Sequence, residues 1–235
     1  MTVRETIIET KNLTKYFGAM AAVNDVSIKI EAGTLHAIIG PNGAGKTTFF
    51  NLLSGNLKPT SGKVFYKGID LTGKPIHCMI HLGMGRSFQI TNIFPNLTVR
   101  DNLWMMTHRG VGRSEVEEKS IAHFPQLATL LDRVSGTLSG GQQQMLAMAR
   151  GLATDPVLLV LDELSMGLAP LVVEGLYEQV REVADKGTSI LLVEQFARIV
   201  MNVADKAALM VQGHVIDTGR PRDIEAKLTQ AYLGG

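Results

Sequence analysis

Gly40-Pro41-Asn42-Gly43-Ala44-Gly45-Lys46-Thr47-Thr48 follows an apolar run, residues 35–39, and precedes residues 49–53, which read as a helix. A strand, a glycine-rich turn and a helix form the setting in which Gly-x-x-x-x-Gly-Lys-Ser/Thr becomes a phosphate cradle. Gly40, Gly43 and Gly45 let successive backbone N–H groups converge on phosphate oxygens, and the helix N-terminus adds positive potential there. Lys46 can reach the β- and γ-phosphates, while the Thr47 hydroxyl can ligate Mg²⁺. With every fixed position filled, a nucleoside triphosphate site is expected in place of an ordinary glycine-rich turn. The purpose of the triphosphate stays open at this point, because kinases, GTPases, recombinases and transport ATPases all carry such a cradle.

Working outward, the 235 residues are ample for one buried core. The hydrophobic fraction of 45% and aromatic fraction of 6% fit a globular α/β protein. Lys and Arg number 23 against 22 Asp and Glu, a net charge of +1. With no basic arm or stripe, nucleic acid is not an expected partner. The single cysteine, Cys78, excludes an intrachain disulfide and fits a reducing compartment. Residues 1–11 carry charges without an apolar leader core, so no signal peptide is expected. No apolar run approaches the roughly 18 residues that span a bilayer. A cytoplasmic chain is expected, with any membrane role supplied by a partner.

Strand-like runs at residues 7–13, 26–30, 35–39 and 63–66 open the chain. The pattern then turns helical from about 91 to 153. Thr98 and Asp101 form a capping-box-like start, with Val99, Leu103 and Met106 on one helix face. Apolar strands return at 157–161 and 189–193, joined by helix over 171–185, the rhythm of a parallel sheet. The helical middle reads as an insertion into an α/β core.

Two further constellations carry chemistry. Residues 157–161 lead into Asp162-Glu163 at a strand end, where ligands of parallel sheets gather. Asp162 there would hold Mg²⁺ through its water shell, and Glu163 would orient or deprotonate the attacking water. Leu138-Ser139-Gly140-Gly141-Gln142 heads a helix running through Ala153, a second anion site of N–H groups and a hydroxyl. One domain seldom needs two triphosphate cradles, so the second is expected to close over a nucleotide held by another subunit.

Gly40–Thr48, Gln89, Leu138–Gln142 and Leu161–Glu163, in that order and spacing, resemble an ABC-type ATPase subunit over the whole chain. The resemblance implies one ATPase domain, 1–235, with a P-loop NTPase core of mostly parallel sheet, an N-terminal antiparallel β subdomain and the inserted helical subdomain. It implies a head-to-tail dimer, with each ATP between one subunit's phosphate loop, Gly40 to Thr48, and the other's Ser139, Gly140, Gly141 and Gln142. Gln89 is implied as the hinge near Mg²⁺ and water. Phe17 is implied as the ring that stacks on adenine, with Tyr16 as fallback. Ser165-Met166-Gly167-Leu168-Ala169-Pro170, Leu192-Val193-Glu194-Gln195, Gly83 to Gln89 and the ending Ala231 to Gly235 resemble importer subunits serving branched-chain amino acids, urea and short amides. Permease subunits, a second ATPase (identical or different), an external solute-binding protein and a place on the cytoplasmic face of the membrane follow as implications.

Three positions depart from the wider family. Gln195 replaces the usual switch histidine, and its amide can donate to a γ-phosphate but cannot carry charge or relay a proton. Leu164 stands where proline is common, an expected loosening of the loop after Glu163. Ala169 replaces an aspartate that talks across the dimer.

His77 and His81, four apart around Cys78, have metal-ligand spacing but lack an evident third ligand, so an ordinary amphipathic helix is expected. Ile93, Phe94 and Pro95 are expected to dock a permease helix. Rival readings are a soluble ABC ATPase and an exporter subunit. A GTPase or small-molecule kinase is disfavoured by the absence of an Asn-Lys-x-Asp run and by the unexplained Leu138–Gln142 loop.

Overall fold

The structure is a computed structural model that describes residues 5–86, 93–107, 110–162, 164–165, 168–195, 197–225 and 227. It opens with β1 (Thr6–Phe17), β2 (Met20–Val26), β3 (Lys29–Glu31) and β4 (Leu35–Ile39), followed by α1 (Lys46–Leu53). Next come β5 (Ser61–Tyr66), β6 (Ile69–Asp70), α2 (Ile76–His81) and β7 (Met84–Arg86). The central stretch holds α3 (Val99–Trp104), α4 (Arg113–His123) and α5 (Gly140–Leu152). The chain continues through β8 (Leu158–Asp162), α6 (Pro170–Asp185), β9 (Ser189–Glu194), α7 (Ala197–Val203), β10 (Lys206–Val211) and β11 (His214–Gly219).

These strands form two sheets. One is antiparallel, in the order β2-β1-β5-β6, with β3 also on β1. The other runs β11-β10-β4-β9-β8-β7 and is parallel except for β11. Strands β4, β8 and β9 are buried along their whole length, as expected of parallel strands covered on both faces. Alternate residues serve different cores. Leu35, Ala37, Ile39, Leu159, Leu161, Ile190 and Leu192 pack with the helices. Ile38, Leu158, Val160, Leu191 and Val193 pack with α1 and the antiparallel sheet.

Helix α6 starts on Pro170 at a first-turn position, where the missing N–H costs nothing. It buries Val173, Leu176, Tyr177, Val180, Val183 and Ala184, an i, i+3, i+4, i+7 stripe facing the sheet.

The expected strand over 26–30 is two strands. Asp25 adopts φ 53°, and the Thr10 hydroxyl donates to the Val26 carbonyl and accepts from Ile28 N–H at 2.9 and 3.0 Å. A side chain of β1 thus replaces the ladder where Ser27 interrupts it. The stretch expected to be helical is less uniform than its pattern suggests. Residues 94–100 and 131–136 run antiparallel, linked by Val99 N–H to the Arg133 carbonyl, Ser135 N–H to the Leu97 carbonyl and Gly136 N–H to the Pro95 carbonyl.

Candidate functional site

The parallel register brings strand ends together. Ile39 lies opposite Glu194, and Asp162 opposite Val193, so β4, β9 and β8 finish along one edge. Open parallel sheets bind ligands at that edge. From β4 the chain enters the glycine-rich turn, and Gly45 at φ 96° directs it into α1. A Cβ on Gly45 would lie 2.1 Å from the Ala22 carbonyl oxygen. Sterics therefore require glycine there on two counts.

The turn borders a cavity of about 470 Å³ lined by residues 42–48, Met20, Ala21, Ala22, Gln212 and Gly213. Lys46 is buried, and its Nζ donates to the carbonyls of Gly40 and Pro41 at 2.8 and 3.0 Å. It is thereby held inside the loop whose N–H groups would receive phosphate. The wall formed by Gln212 and Gly213, in the turn between β10 and β11, went unnoticed in the sequence. Gly213 N–H donates to the Ala44 carbonyl and its own carbonyl accepts from Asn24 N–H, which joins three distant segments around the cradle. No local motif marks such a wall.

Phe17 and Tyr16 are exposed at the end of β1, but neither lines this cavity. Met20, which pairs with Phe17 across the Gly18 turn, does line it. The Lys15 ammonium lies 5.3 Å from the Phe17 ring centroid.

Asp162 ends β8 at 2% exposure. Thr47 sits in the first turn of α1. A hydroxyl and a carboxyl form an oxygen-only donor set, which suits Mg²⁺ because that ion keeps several waters and takes phosphate oxygens as well. Gln195 follows β9 and is partly buried. Glu163 and Gln89 lie outside the described residues, as do Met166, Gly167 and the ending Ala231 to Gly235.

Ser139 caps α5: its Oγ accepts from Gln142 N–H at 3.4 Å, and Gln142 Oε1 accepts from Ser139 N–H at 3.0 Å. The two glycines beside it lie close to side-chain methyls of the neighbouring segment. A Cβ on Gly140 would meet Leu168 Cδ2 at 2.7 Å, and one on Gly141 would meet Val172 Cγ1 at 2.4 Å. Ser139, Gly141 and Gln142 line a separate cavity of about 180 Å³ with Val172, Gly175 and Gln179, and share no residue with the phosphate cradle.

Leu164 is buried in the larger core, and Ser165 is hydrogen-bonded on both its N–H and its hydroxyl. Ile93 packs inward, whereas Phe94 is exposed and lies under the Arg150 guanidinium at 5.2 Å. Burial lowers the pKa of Arg150 below the ordinary arginine value. His77 and His81 meet edge to face, and among the described residues no three His, Cys, Asp or Glu cluster as metal ligands. No helix among the described residues is long and apolar enough to cross a membrane.

A parallel sheet with a phosphate loop at one strand end and an acidic strand end beside it defines the core of a P-loop nucleoside triphosphate-binding α/β protein. The sequence pattern of the family described as ABC transporter matches residues 23–165. A probable branched-chain amino acid transport ATP-binding protein, LivG of Archaeoglobus fulgidus, is 38% identical over 97% of this chain and 95% of its own. The high-affinity branched-chain amino acid transport ATP-binding protein BraG of Pseudomonas aeruginosa is 35% identical, covering 94% and 96%. The crystal structure of an ATP-binding cassette of an ABC transporter in its ADP conformation superposes with TM-score 0.87 at 32% identity, covering 98% of this chain and 99% of that one. The chain belongs to the ABC transporter family, as one of its ATPases.

Proposed function

We propose that this chain is the ATP-hydrolysing subunit of an importer for branched-chain amino acids or a related small polar solute. The observation that supports the dimeric mechanism is the separation of two half-sites: Lys46 and Thr47 line one cavity, while Ser139, Gly141 and Gln142 line a different one. A second subunit, identical or different, packed head to tail would bring one chain's phosphate loop to the other's Ser139 to Gln142. The choice of solute is supported by the names of the relatives.

In this reading residues 1–235 act as one ATPase unit, with about 91–153 as its helical insertion. Gly40 to Thr48 hold the phosphates through N–H groups, and Lys46 leaves its carbonyl partners to meet the γ-phosphate. Thr47, Asp162 and Gln89 would hold Mg²⁺, which neutralises charge on the phosphate oxygens when bound. Glu163 manages the attacking water, and the Gln195 amide donates to the γ-phosphate. The nearby exposed rings, Phe17 first, cover the adenine. Closure of the dimer on ATP and reopening after hydrolysis drive permease subunits at the cytoplasmic face, with Phe94 and Pro95 on the docking surface.

Glu163→Gln should bind ATP with near-normal affinity, lose nearly all turnover and accumulate as a closed dimer. Nucleotide titration, phosphate release and size-exclusion chromatography with ATP read the three. Normal turnover in that variant would refute Glu163 as the residue that manages water. Capture from solubilised native membranes tests the partners: permease chains and a second ATPase should co-purify, and recovery from the soluble fraction alone would favour an ATPase not coupled to a membrane.

A further inference from the structure

Glu194 is the last residue of β9 and has 0% exposure. Its Oε1 accepts from Ser165 N–H at 3.1 Å, from Ser165 Oγ at 2.8 Å and from the Tyr177 hydroxyl. Its Oε2 accepts from Gln195 N–H at 2.9 Å. One carboxyl group therefore ties together the loop beyond Asp162, the middle of α6 and the residue that leaves β9 beside the phosphate loop. Ser165 is two residues after Glu163 in the chain, and Gln195 is the next residue after Glu194.

A buried carboxyl group is costly unless its oxygens are hydrogen-bonded. An apolar residue could fill the slot between β9 and α6, but it would remove the carboxyl oxygens that accept from Ser165 N–H and Gln195 N–H. Only a group with two acceptor oxygens, long enough to reach both segments, satisfies them together. We propose that Glu194 is a positioning residue that sets the spacing between the Glu163 segment and Gln195, and so between the water-managing and γ-phosphate-sensing groups. This rests on the roles given to those two residues above. Displacing a reacting group by an ångström can cost roughly a hundredfold in rate, so a carboxyl clamp at the base of both segments acts on turnover before it acts on affinity.

Glu194→Gln separates this role from plain core packing. If the amide oxygen keeps Ser165 and Tyr177, its NH₂ faces Gln195 N–H, donor against donor. If the amide flips, the hydroxyls can turn to accept, but Ser165 N–H then faces the NH₂. Either way one backbone tie is lost. Tyr177→Phe removes a donor from the same network and leaves both backbone ties in place.

The experiment measures ATP turnover, nucleotide affinity and thermal unfolding for both variants beside Glu163→Gln. Glu194→Gln should lose about tenfold or more in kcat with ATP affinity changed less than about threefold, while Tyr177→Phe stays within about threefold of wild-type kcat. Wild-type kcat in Glu194→Gln, or an equal kcat loss in Tyr177→Phe, overturns the proposal. Should Glu194→Gln fold poorly, Glu194→Asp carries the test: it keeps the acceptors but is a methylene too short to reach both segments. Its kcat should fall similarly, and wild-type turnover would overturn the clamp. Failure of the underlying site reading shows separately, as full turnover in Glu163→Gln, and removes the premise whatever the Glu194 variants do.

Discussion

A methyl group on Gly40 would lie 2.0 Å from the Met210 carbonyl oxygen and 3.2 Å from the Ala44 Cβ. The obstacle is backbone of β10, which cannot swing aside. Gly40→Ala should therefore cost about 1–3 kcal/mol, the usual range for overpacking, and weaken ATP binding by distorting the cradle. Urea unfolding and nucleotide titration measure the two effects. The glycine pattern was legible in the sequence, but its reason was only half legible: phosphate access was foreseen, contact with β10 was not. At His123, burial first and then the Lys186 charge pull the imidazole pKa below the ordinary 6.5, against the opposing Asp155. Below about pH 6.5 the unfolded chain therefore takes up a proton that the folded chain refuses, so this contribution to stability is lost as pH falls. Melting temperature should drop more between pH 7.5 and 5.5 in the wild type than in His123→Gln.

Helix α3 starts where the sequence places it but ends at Trp104, so Met106, expected on the same helix face, lies beyond it. Thr98 caps it as expected, its Oγ1 accepting from Asp101 N–H at 3.0 Å, and Val99 and Leu103 are fully buried. Asp101, however, accepts from the Thr98 hydroxyl at 2.6 Å in place of the N-cap backbone. Asn102, at 0% exposure, accepts from Phe94 N–H at 2.8 Å, and its amide nitrogen is 3.0, 3.0 and 2.8 Å from the Phe94 carbonyl, the Thr98 carbonyl and Ser135 Oγ. It pins the exposed Phe94 turn to the segment before α5. Asn102→Ala should cost about 2–3 kcal/mol, because several buried polar groups lose partners at once, and should speed proteolysis near Phe94. Chemical denaturation and limited proteolysis would register this, and an unchanged unfolding midpoint would contradict it. The strands β6, β7, β10 and β11 escaped the sequence reading, as did β2 apart from its last residue, Val26. β7 is only three residues long, and β10 and β11 follow the last motif, where apolar alternation alone does not announce membership in a distant sheet.

On the scale of the whole molecule, an unpartnered apolar residue marks the face that a second subunit is proposed to cover. Leu171 is 81% exposed in the first turn of α6, next to Val172, whose methyl packs on Gly141. Burying such a side chain is worth about 1.5–3 kcal/mol. Leu171→Glu in the Glu163→Gln background should weaken ATP-dependent dimerisation by about tenfold or more, with thermal stability of the monomer nearly unchanged. Analytical ultracentrifugation with ATP decides it. The Gly40–Thr48 turn before α1, Asp162 at the end of β8 and the Ser139 cap of α5 were legible in the sequence, because each is a short run whose local geometry depends on near neighbours. The rhythm of buried strands and amphipathic helices identified the α/β core for the same reason. Other features depend on residues far apart in the chain: the Gln212–Gly213 wall of the cradle, the inward turn of Ile93 and the hydrogen bonds that Ser165 and Tyr177 bring to Glu194. A carboxyl group finds its donors in space, so Glu194, Ser165 and Tyr177 became one unit only when the parallel sheet and α6 packed them together.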